Sequence, residues 1–266
     1  MRDFIYHRPN DLAEAEALFG ASAEGRYLAG GMTLIPTMKQ GLAAPADLID
    51  LSGIAELGGI AVENGELVIG ATVRHADVQV SPVVAEAIPA LAALAAGIGD
   101  PQVRHRGTIG GSIANNDPAA DYPAAVLGLG GTIETSRRTL AADLFFLGLF
   151  TTALEEGEIV RRVRLPIPER AAYAKFPNPA SRYAMAGVFV AIFADGVRVA
   201  VTGAGQDGVY RAFDMEEALA AELNPAAIEA VVVEPDGMLA DLHASAAYRA
   251  NLVKVMAKRA VAAILA

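Results

Sequence analysis

Residues 107–123 read Gly107-Thr108-Ile109-Gly110-Gly111-Ser112-Ile113-Ala114-Asn115-Asn116-Asp117-Pro118-Ala119-Ala120-Asp121-Tyr122-Pro123. Glycines, short hydroxyl and amide side chains and two carboxylates are concentrated here between strongly apolar flanks. Neighbouring glycines let main-chain N–H groups converge and let a ligand approach the backbone without meeting a Cβ. Ser112, Asn115 and Asn116 suit a ligand rich in oxygen, and Asp121 suits a sugar hydroxyl better than a phosphate. A second stretch of the same character, Ala29-Gly30-Gly31-Met32-Thr33-Leu34, lies earlier in the chain. Two such loops with different neighbours point to one extended dinucleotide held between them.

Outward from these loops, the first fifty residues alternate strands and helices. Phe4–His7, Arg26–Ala29 and Asp47–Leu51 read as strands. Leu12–Phe19, capped by Asn10 or Asp11, and Leu34–Gln40, capped by Thr33, read as helices. Strand, glycine turn and helix N-terminus in succession favour an anion at the turn. The order β-α-β-α-β predicts a small α/β subdomain with a partly parallel sheet. From Gly53 onward Ile60–Asn64 and Glu66–Gly70 alternate about Asn64-Gly65, a hairpin signal. Thr72 is placed to cap a helix through His75 and Val78, and Ile88–Ile98 reads as a buried helix. After the long glycine loop come a helix over Tyr122–Leu129, a strand over Gly131–Ser136, a helix over Leu140–Phe146 and a strand over Glu158–Leu165. Strands at Tyr173–Phe176, Gly187–Phe193 and Val197–Gly203 follow, the last two joined by Asp195-Gly196, and the remainder is helical to Leu265. The boundaries fall at 1–53, 54–170 and 171–266, the last near the prolines at 166 and 168.

The bulk composition narrows the function classes. With 53% hydrophobic and 20% charged residues the 266-residue chain packs a substantial core. Its net charge of −10 and lack of a Lys/Arg-rich run argue against nucleic acid as a partner. There is no cysteine, which excludes disulfides, thiolate catalysis and cysteine-held iron–sulfur clusters within this chain. Met1–His7 has no apolar core like that of a signal peptide, and the longest uncharged run, Ala87–Gly99, is too short to span a bilayer. The expectation is a cytoplasmic protein without a transmembrane segment.

Other motifs carry less. Gly203-Ala204-Gly205-Gln206-Asp207-Gly208 fits the G-x-G-x-x-G pattern of dinucleotide-binding folds, but Val209–Phe213 alternates like a strand where an apolar helix is required. It is read as a glycine-rich hairpin connection. His7, His75, His105 and His243 have no metal-ligand spacing. Asp117 precedes Pro118 and suits a turn, and no nucleophile–base arrangement is legible. No catalytic side chain is therefore assigned.

With both loops in hand, the chain resembles the FAD-binding medium subunit of the molybdenum hydroxylases, the carbon monoxide dehydrogenase and xanthine dehydrogenase group. The resemblance rests on Tyr6-His7-Arg8-Pro9, on Ala29–Leu34, on the long run Gln102–Pro123, on Lys175-Phe176 with Ala180–Ala184, and on Ser245 with Tyr248-Arg249. It implies an α+β, two-subdomain FAD-binding fold of the vanillyl-alcohol-oxidase type, followed by a C-terminal antiparallel sheet with helices. It implies FAD with its pyrophosphate between the loops. Arg26, Ala29, Gly30, Gly31, Met32, Thr33 and Leu34 would then contribute mainly main-chain contacts. Thr108, Gly111 and Ser112 would meet the pyrophosphate, Asn115 the ribityl or phosphate region, and Asp121 a hydroxyl. Val160 and Lys175 match contacts near the adenine and flavin regions, and Tyr183 would sit by the isoalloxazine ring. Met32 stands where many relatives carry a small or polar residue, which matters little for a main-chain contact. The resemblance further implies an iron–sulfur subunit, a larger molybdopterin subunit and an external electron acceptor. A redox-silent nucleotide-binding or regulatory module of the same fold is the alternative.

Overall fold

A computed structural model describes residues 1–266. The first unit holds β1 (Ile5–His7), α1 (Leu12–Ala21), β2 (Gly25–Leu28), α2 (Leu34–Lys39) and β3 (Asp47–Asp50). Its strands lie in the order β1-β3-β2, and both pairings are parallel, so the sheet is wholly rather than partly parallel. Asp11 caps α1 by accepting from the Glu14 N–H. Ala15 of α1 packs on Ile49, Leu51, Ile54 and Leu57, and Met38 of α2 packs on Leu28 and Leu48. Thr33 does not cap α2 with its side chain. Its backbone is already helical, with φ −106° and ψ −53°, whereas a capping hydroxyl needs an extended residue to fold back on the first turn.

The second unit is built on β4 (Ile60–Glu63), β5 (Glu66–Gly70), β6 (Thr132–Thr135), β7 (Thr139–Ala141) and β10 (Val160–Pro166), an antiparallel sheet in the order β4-β5-β10-β6-β7. Asn64 and Gly65 both have positive φ, 53° and 81°, as a two-residue primed turn requires. Between β5 and β6 run six helices: α3 (His75–Val80), α4 (Pro82–Ala87), α5 (Pro89–Ala96), α6 (Pro101–Arg104), α7 (Ile109–Asn115) and α8 (Tyr122–Gly128). After β7 come α9 (Ala142–Phe145) and the small hairpin β8 (Phe146–Gly148) and β9 (Thr151–Thr152). Two expectations fail here. The Thr72 hydroxyl donates to the Leu57 carbonyl at 2.9 Å, and Arg74 takes the cap position of α3. The helix expected over Leu140–Phe146 is only four residues long, because Leu140 pairs with Ile133 in the sheet.

The third unit is the antiparallel sheet β11 (Arg170–Pro177), β12 (Ala184–Phe193), β13 (Gly196–Thr202) and β14 (Tyr210–Arg211), with α10 (Phe213–Ala221) and α11 (Ala246–Leu265). Residues 203–208 join β13 to its antiparallel partner β14, so the G-x-G-x-x-G run is a connection between strands. Ser245 caps α11 by accepting from the Tyr248 N–H. Arg249 of α11 is buried and donates to the Met185 and Gly203 carbonyls, both at 2.7 Å. β12 is buried along nearly its whole length. One face joins the core of α11, while Phe189 and Ala191 join the core of the second unit around α8. All seven residues of α8 are buried. Each large apolar side chain so placed contributes about 2 kcal/mol, so α8 is fixed from both sides, and with it Asp121 at its start. No helix is long and apolar enough to cross a membrane.

Candidate cofactor-binding site

A cleft of about 830 Å³ opens between the first and second units, and the third unit closes one end. That volume is within the usual range for small-molecule and cofactor sites. Its walls are residues 26–34, residues 107–121, Phe150, residues 158–160 and the loop Ser181–Tyr183.

The first wall is main chain. None of the N–H groups of Ala29, Gly30, Gly31, Met32, Thr33 and Leu34 donates to a hydrogen bond within the chain, although all six residues line the cleft. N–H groups left free along a cleft wall are open to a ligand or water. Gly31 has φ +73°, which turns the chain so that successive donors converge on one concave surface. Gly30 is required for another reason. A Cβ there would run into the Arg106 carbonyl, so only glycine lets the two loops touch.

The second wall is organised differently. Its main-chain donors are largely consumed inside the fold. The N–H of Ile109 reaches Val73 O at 3.1 Å, Gly110 reaches Ala71 O at 2.9 Å, and Ser112 reaches Thr108 O at 3.0 Å. The Gly111 N–H donates to the Thr108 hydroxyl at 3.1 Å. What faces the cleft is a set of side chains. The Ser112 hydroxyl and the Asn115 amide line it and have no partner within the chain. Asn116 closes α7 in the left-handed conformation, φ 44°. Its amide donates to the Gly148 and Thr151 carbonyls at 2.8 and 2.9 Å, fastening the β8–β9 hairpin and placing Phe150 in the wall. Asp117 serves as a turn residue, accepting from the Ala119 N–H at 2.9 Å.

The third unit completes the site. The Thr202 hydroxyl donates to Pro118 O and Ala120 O at 3.0 and 2.7 Å, and the N–H groups of Gly203 and Ala184 donate to Pro118 O and Ala119 O. Asp121 is 4% exposed; it accepts from the Tyr173 hydroxyl at 2.5 Å and the Lys175 ammonium at 3.1 Å. Burial raises the Asp121 carboxyl above its ordinary value, against the opposing pull of Lys175 and Tyr173. Tyr183 is 46% exposed at the cleft, and its phenol is raised by burial and by the carboxylates of Asp117 and Asp121.

Of the residues singled out from the sequence, the structure brings together Arg26, Ala29, Gly30, Gly31, Met32, Thr33, Leu34, Thr108, Gly111, Ser112, Asn115, Asp121, Val160 and Tyr183 around one cleft. Lys175 is not among the lining residues. Its ammonium donates to Asp121, which does line the cleft, and to the Gly97 carbonyl at 2.8 Å. Sequence reasoning passed over His75, which lines the cleft with Gly107 packed on its imidazole. It is 5% exposed and its Nδ1 has no partner. Burial, and secondarily Arg104, lower its pKa to about 4, so it is neutral at physiological pH. Glu158, also in the lining, would be raised by burial. The Arg138 guanidinium, the Glu155 N–H and the Thr135 hydroxyl outweigh that and hold it at about 2. Neither residue has a local signal, since each reaches the cleft through contacts far along the chain. Nowhere do three His, Asp or Glu side chains come together in a way that could hold a metal ion.

Six free main-chain donors in a row, glycines whose Cβ would fill the junction, and unpartnered hydroxyl and amide side chains opposite are the requirements of a bound dinucleotide. Fold and site thus fit an extended dinucleotide held between the two loops. The chain belongs to the family described as FAD binding domain in molybdopterin dehydrogenase, which matches residues 2–168, and its cofactor is FAD. It is 36% identical over 277 residues to the carbon monoxide dehydrogenase medium chain of Hydrogenophaga pseudoflava, covering 97% of this chain and 96% of that one. It is 34% identical over 270 residues to the nicotine 6-hydroxylase medium subunit of Paenarthrobacter nicotinovorans, covering 96% and 95%. A solved carbon monoxide dehydrogenase from Hydrogenophaga pseudoflava, lacking the Mo-pyranopterin moiety of its molybdenum cofactor, superposes with a TM-score of 0.91 at 37% identity, covering 99% and 98% of the two chains. The α+β FAD-binding fold implied by the resemblance is the fold found, and the chain is a medium, FAD-binding oxidoreductase subunit of the molybdenum hydroxylase family.

Proposed function

We propose that this subunit carries electrons from the [2Fe–2S] clusters of a partner subunit, through its FAD, to an external acceptor, while a molybdopterin-containing large subunit performs the substrate chemistry. The observation that carries the reading is the row of free N–H groups from Ala29 to Leu34 facing unpartnered Ser112 and Asn115. The first wall binds the pyrophosphate through main chain, and Ser112 and Asn115 bind it and the adjoining hydroxyls from the other side, where Thr108 and Gly111 border the cleft and hold each other in place. Val160 borders the adenine end and Tyr183 the isoalloxazine end. FAD, when bound, exchanges electrons one or two at a time, and the protein's part is binding and electrostatic tuning. The absence of cysteine fits a chain that receives electrons from clusters held elsewhere. Relatives of near-equal similarity are named for carbon monoxide and for nicotine, which supports a substrate read by the large subunit. We place this work in the cytoplasm and divide the chain into subdomains at 1–53, 54–170 and 171–266.

The first test is the absorbance spectrum of the protein as purified, before and after dithionite. An oxidised-flavin spectrum that bleaches, in a preparation where iron–sulfur and molybdopterin subunits copurify, is the expected result. A colourless protein that takes up no FAD overturns the reading. Because FAD binds only the folded state, ligand at a hundred times its Kd should add about 2.7 kcal/mol of stability and raise the Tm.

A further inference from the structure

The β8–β9 hairpin turns at Phe150, whose φ is 52°. Phe150 is the only aromatic among the four non-glycine residues with positive φ, a conformation that bulky side chains rarely adopt. Its N–H donates to Asn116 O at 3.2 Å, the Asn116 amide grips the Gly148 and Thr151 carbonyls on either side of it, and the Thr151 hydroxyl donates to Leu149 O at 3.0 Å. The tip is thus locked, yet nothing is buried by locking it. Leu147, Leu149 and Phe150 are 61%, 47% and 56% exposed. Backbone strain held in place without a gain in packing points to function. The hairpin borders the cleft at the same end as Tyr183. Phe150 hangs on Asn116, the N–H of Ala184 beside Tyr183 donates to Ala119 O at 3.3 Å, and both aromatic residues line the cleft. Two exposed aromatic rings therefore flank residues 116–119, at the end assigned above to the isoalloxazine. Leu144-Phe145-Phe146-Leu147-Gly148-Leu149-Phe150-Thr151-Thr152-Ala153-Leu154 carries no charge. The carboxylates of Asp117 and Asp121 line this end, and the neighbouring cation, Arg182, is directed at the Gly99 carbonyl at 3.4 Å.

We propose that Phe150 and Tyr183, with Leu147 and Leu149 beside them, form a second subsite at the mouth of the cleft, which takes a planar, uncharged two-electron acceptor of the quinone class. This rests on the electron-transfer reading above and names the acceptor chemistry that the reading leaves open. Aromatic faces stack on a planar ring, and exposed leucines receive its apolar substituents. A nicotinamide dinucleotide is the charged competitor. Its diphosphate would have to be desolvated against two carboxylates and an uncharged hairpin, with no cation free to pair with it. An uncharged acceptor meets neither obstacle. The exchange balances without a further reactant: two electrons and two protons leave the reduced flavin for the two quinone oxygens, giving the hydroquinone and oxidised FAD.

The experiment uses the purified complex with its FAD, and the probes are menadione and NAD⁺. Menadione is first titrated into the oxidised complex and followed by the difference absorbance of the flavin, so that binding is read with no electrons to transfer. The complex is then reduced with dithionite, desalted and mixed with menadione, and the return of the flavin band is timed. All values are taken per bound flavin, so a variant that loses FAD does not count as one that loses the subsite. Phe150→Asn removes the ring while keeping a residue at home in the left-handed conformation, and Leu149→Gln removes apolar surface beside it. The expected result is a saturable response to menadione and none to NAD⁺ over the same concentrations. Phe150→Asn should raise the menadione Kd about tenfold, Leu149→Gln should raise it about threefold, and flavin reoxidation should slow in step at low menadione. The proposal falls if menadione gives no saturable response in the intact complex, as it would if a partner subunit covers the hairpin. It falls equally if NAD⁺ binds as tightly as menadione, or if Phe150→Asn binds menadione as the unaltered complex does. Should Phe150→Asn fail to fold, Leu149→Gln still decides: an unchanged Kd overturns the assignment. A complex that carries no flavin strikes the functional reading itself, and this is seen in the spectrum before any titration.

Discussion

The two glycine loops look alike in sequence and do opposite things. In Ala29–Leu34 the backbone is the binding surface, and its six N–H groups have no partner in the chain. In Gly107–Ser112 most of the backbone is spent on holding the loop in place. Residues 71 and 73 accept from Gly110 and Ile109, and the His75 N–H donates to Gly107 O at 2.9 Å. There the glycines serve packing. Gly110 lies against Ala71, and Gly107 lies against the His75 imidazole, where a Cβ would stand 2.5 Å from Nε2. The ligand is left to the side chains of Ser112 and Asn115. A glycine-rich loop is thus no single device: one loop offers donors, and the other is a rigid shelf for hydroxyl and amide groups.

That contrast can be broken most forcefully where the loops meet. Gly30→Ala places a methyl on the Arg106 carbonyl, and overpacking of this kind destabilises by about 1–3 kcal/mol. Flavin content per chain should fall to near zero and the Tm of the FAD-free protein should drop. A variant that keeps its flavin would mean that the loops need not touch. Side-chain truncation sharpens the comparison. Ser112→Ala and Asn115→Ala should each weaken FAD binding about tenfold, the worth of one hydrogen bond to a polar ligand. Met32→Ala, in the main-chain wall, should leave the affinity unchanged in the same titration. Equal losses on the two sides would erase the distinction. The last effect concerns the shelf's support and is confined to acid pH. Since the folded state holds His75 at about 4 against 6.5 for the free side chain, the unfolded chain takes up the proton first as pH falls. Stability should therefore decline between about pH 6.5 and 4, and His75→Gln should flatten that part of a Tm-against-pH curve.

How much of this was legible in the sequence follows from the range of the interactions concerned. Both loops and the Asn64-Gly65 and Asp195-Gly196 turns are local events, written in residues that satisfy one another within a few positions. The G-x-G-x-x-G run was correctly set aside because its following residues alternate like a strand. Thr33 and Thr72 were misread as caps because a threonine before a helix has the same appearance whether or not its hydroxyl is drawn elsewhere, and Leu57, the acceptor for Thr72, is fifteen residues away. The closeness of Gly30 to Arg106, the inward turn of His75 and the hold of Thr202 on Pro118 and Ala120 depend on pairings across the fold. No window of sequence contains both members. Lys175 is singled out by resemblance, and only the structure shows its pairing with Asp121.

The stitching of the 118–121 turn to the third sheet has a consequence in time. The cleft gathers residues from Arg26 to Tyr183, and its floor is secured by Thr202 and Gly203. Contacts between such distant positions close large loops and form late in folding. During synthesis the N-terminal units emerge and begin to order first, but the 118–120 turn that follows the second glycine loop lacks its bonds to Ala184, Thr202 and Gly203 until β12 and β13 are free of the ribosome. Flavin uptake is on this account a closing step in the making of the subunit, taken by a finished chain rather than by a nascent one.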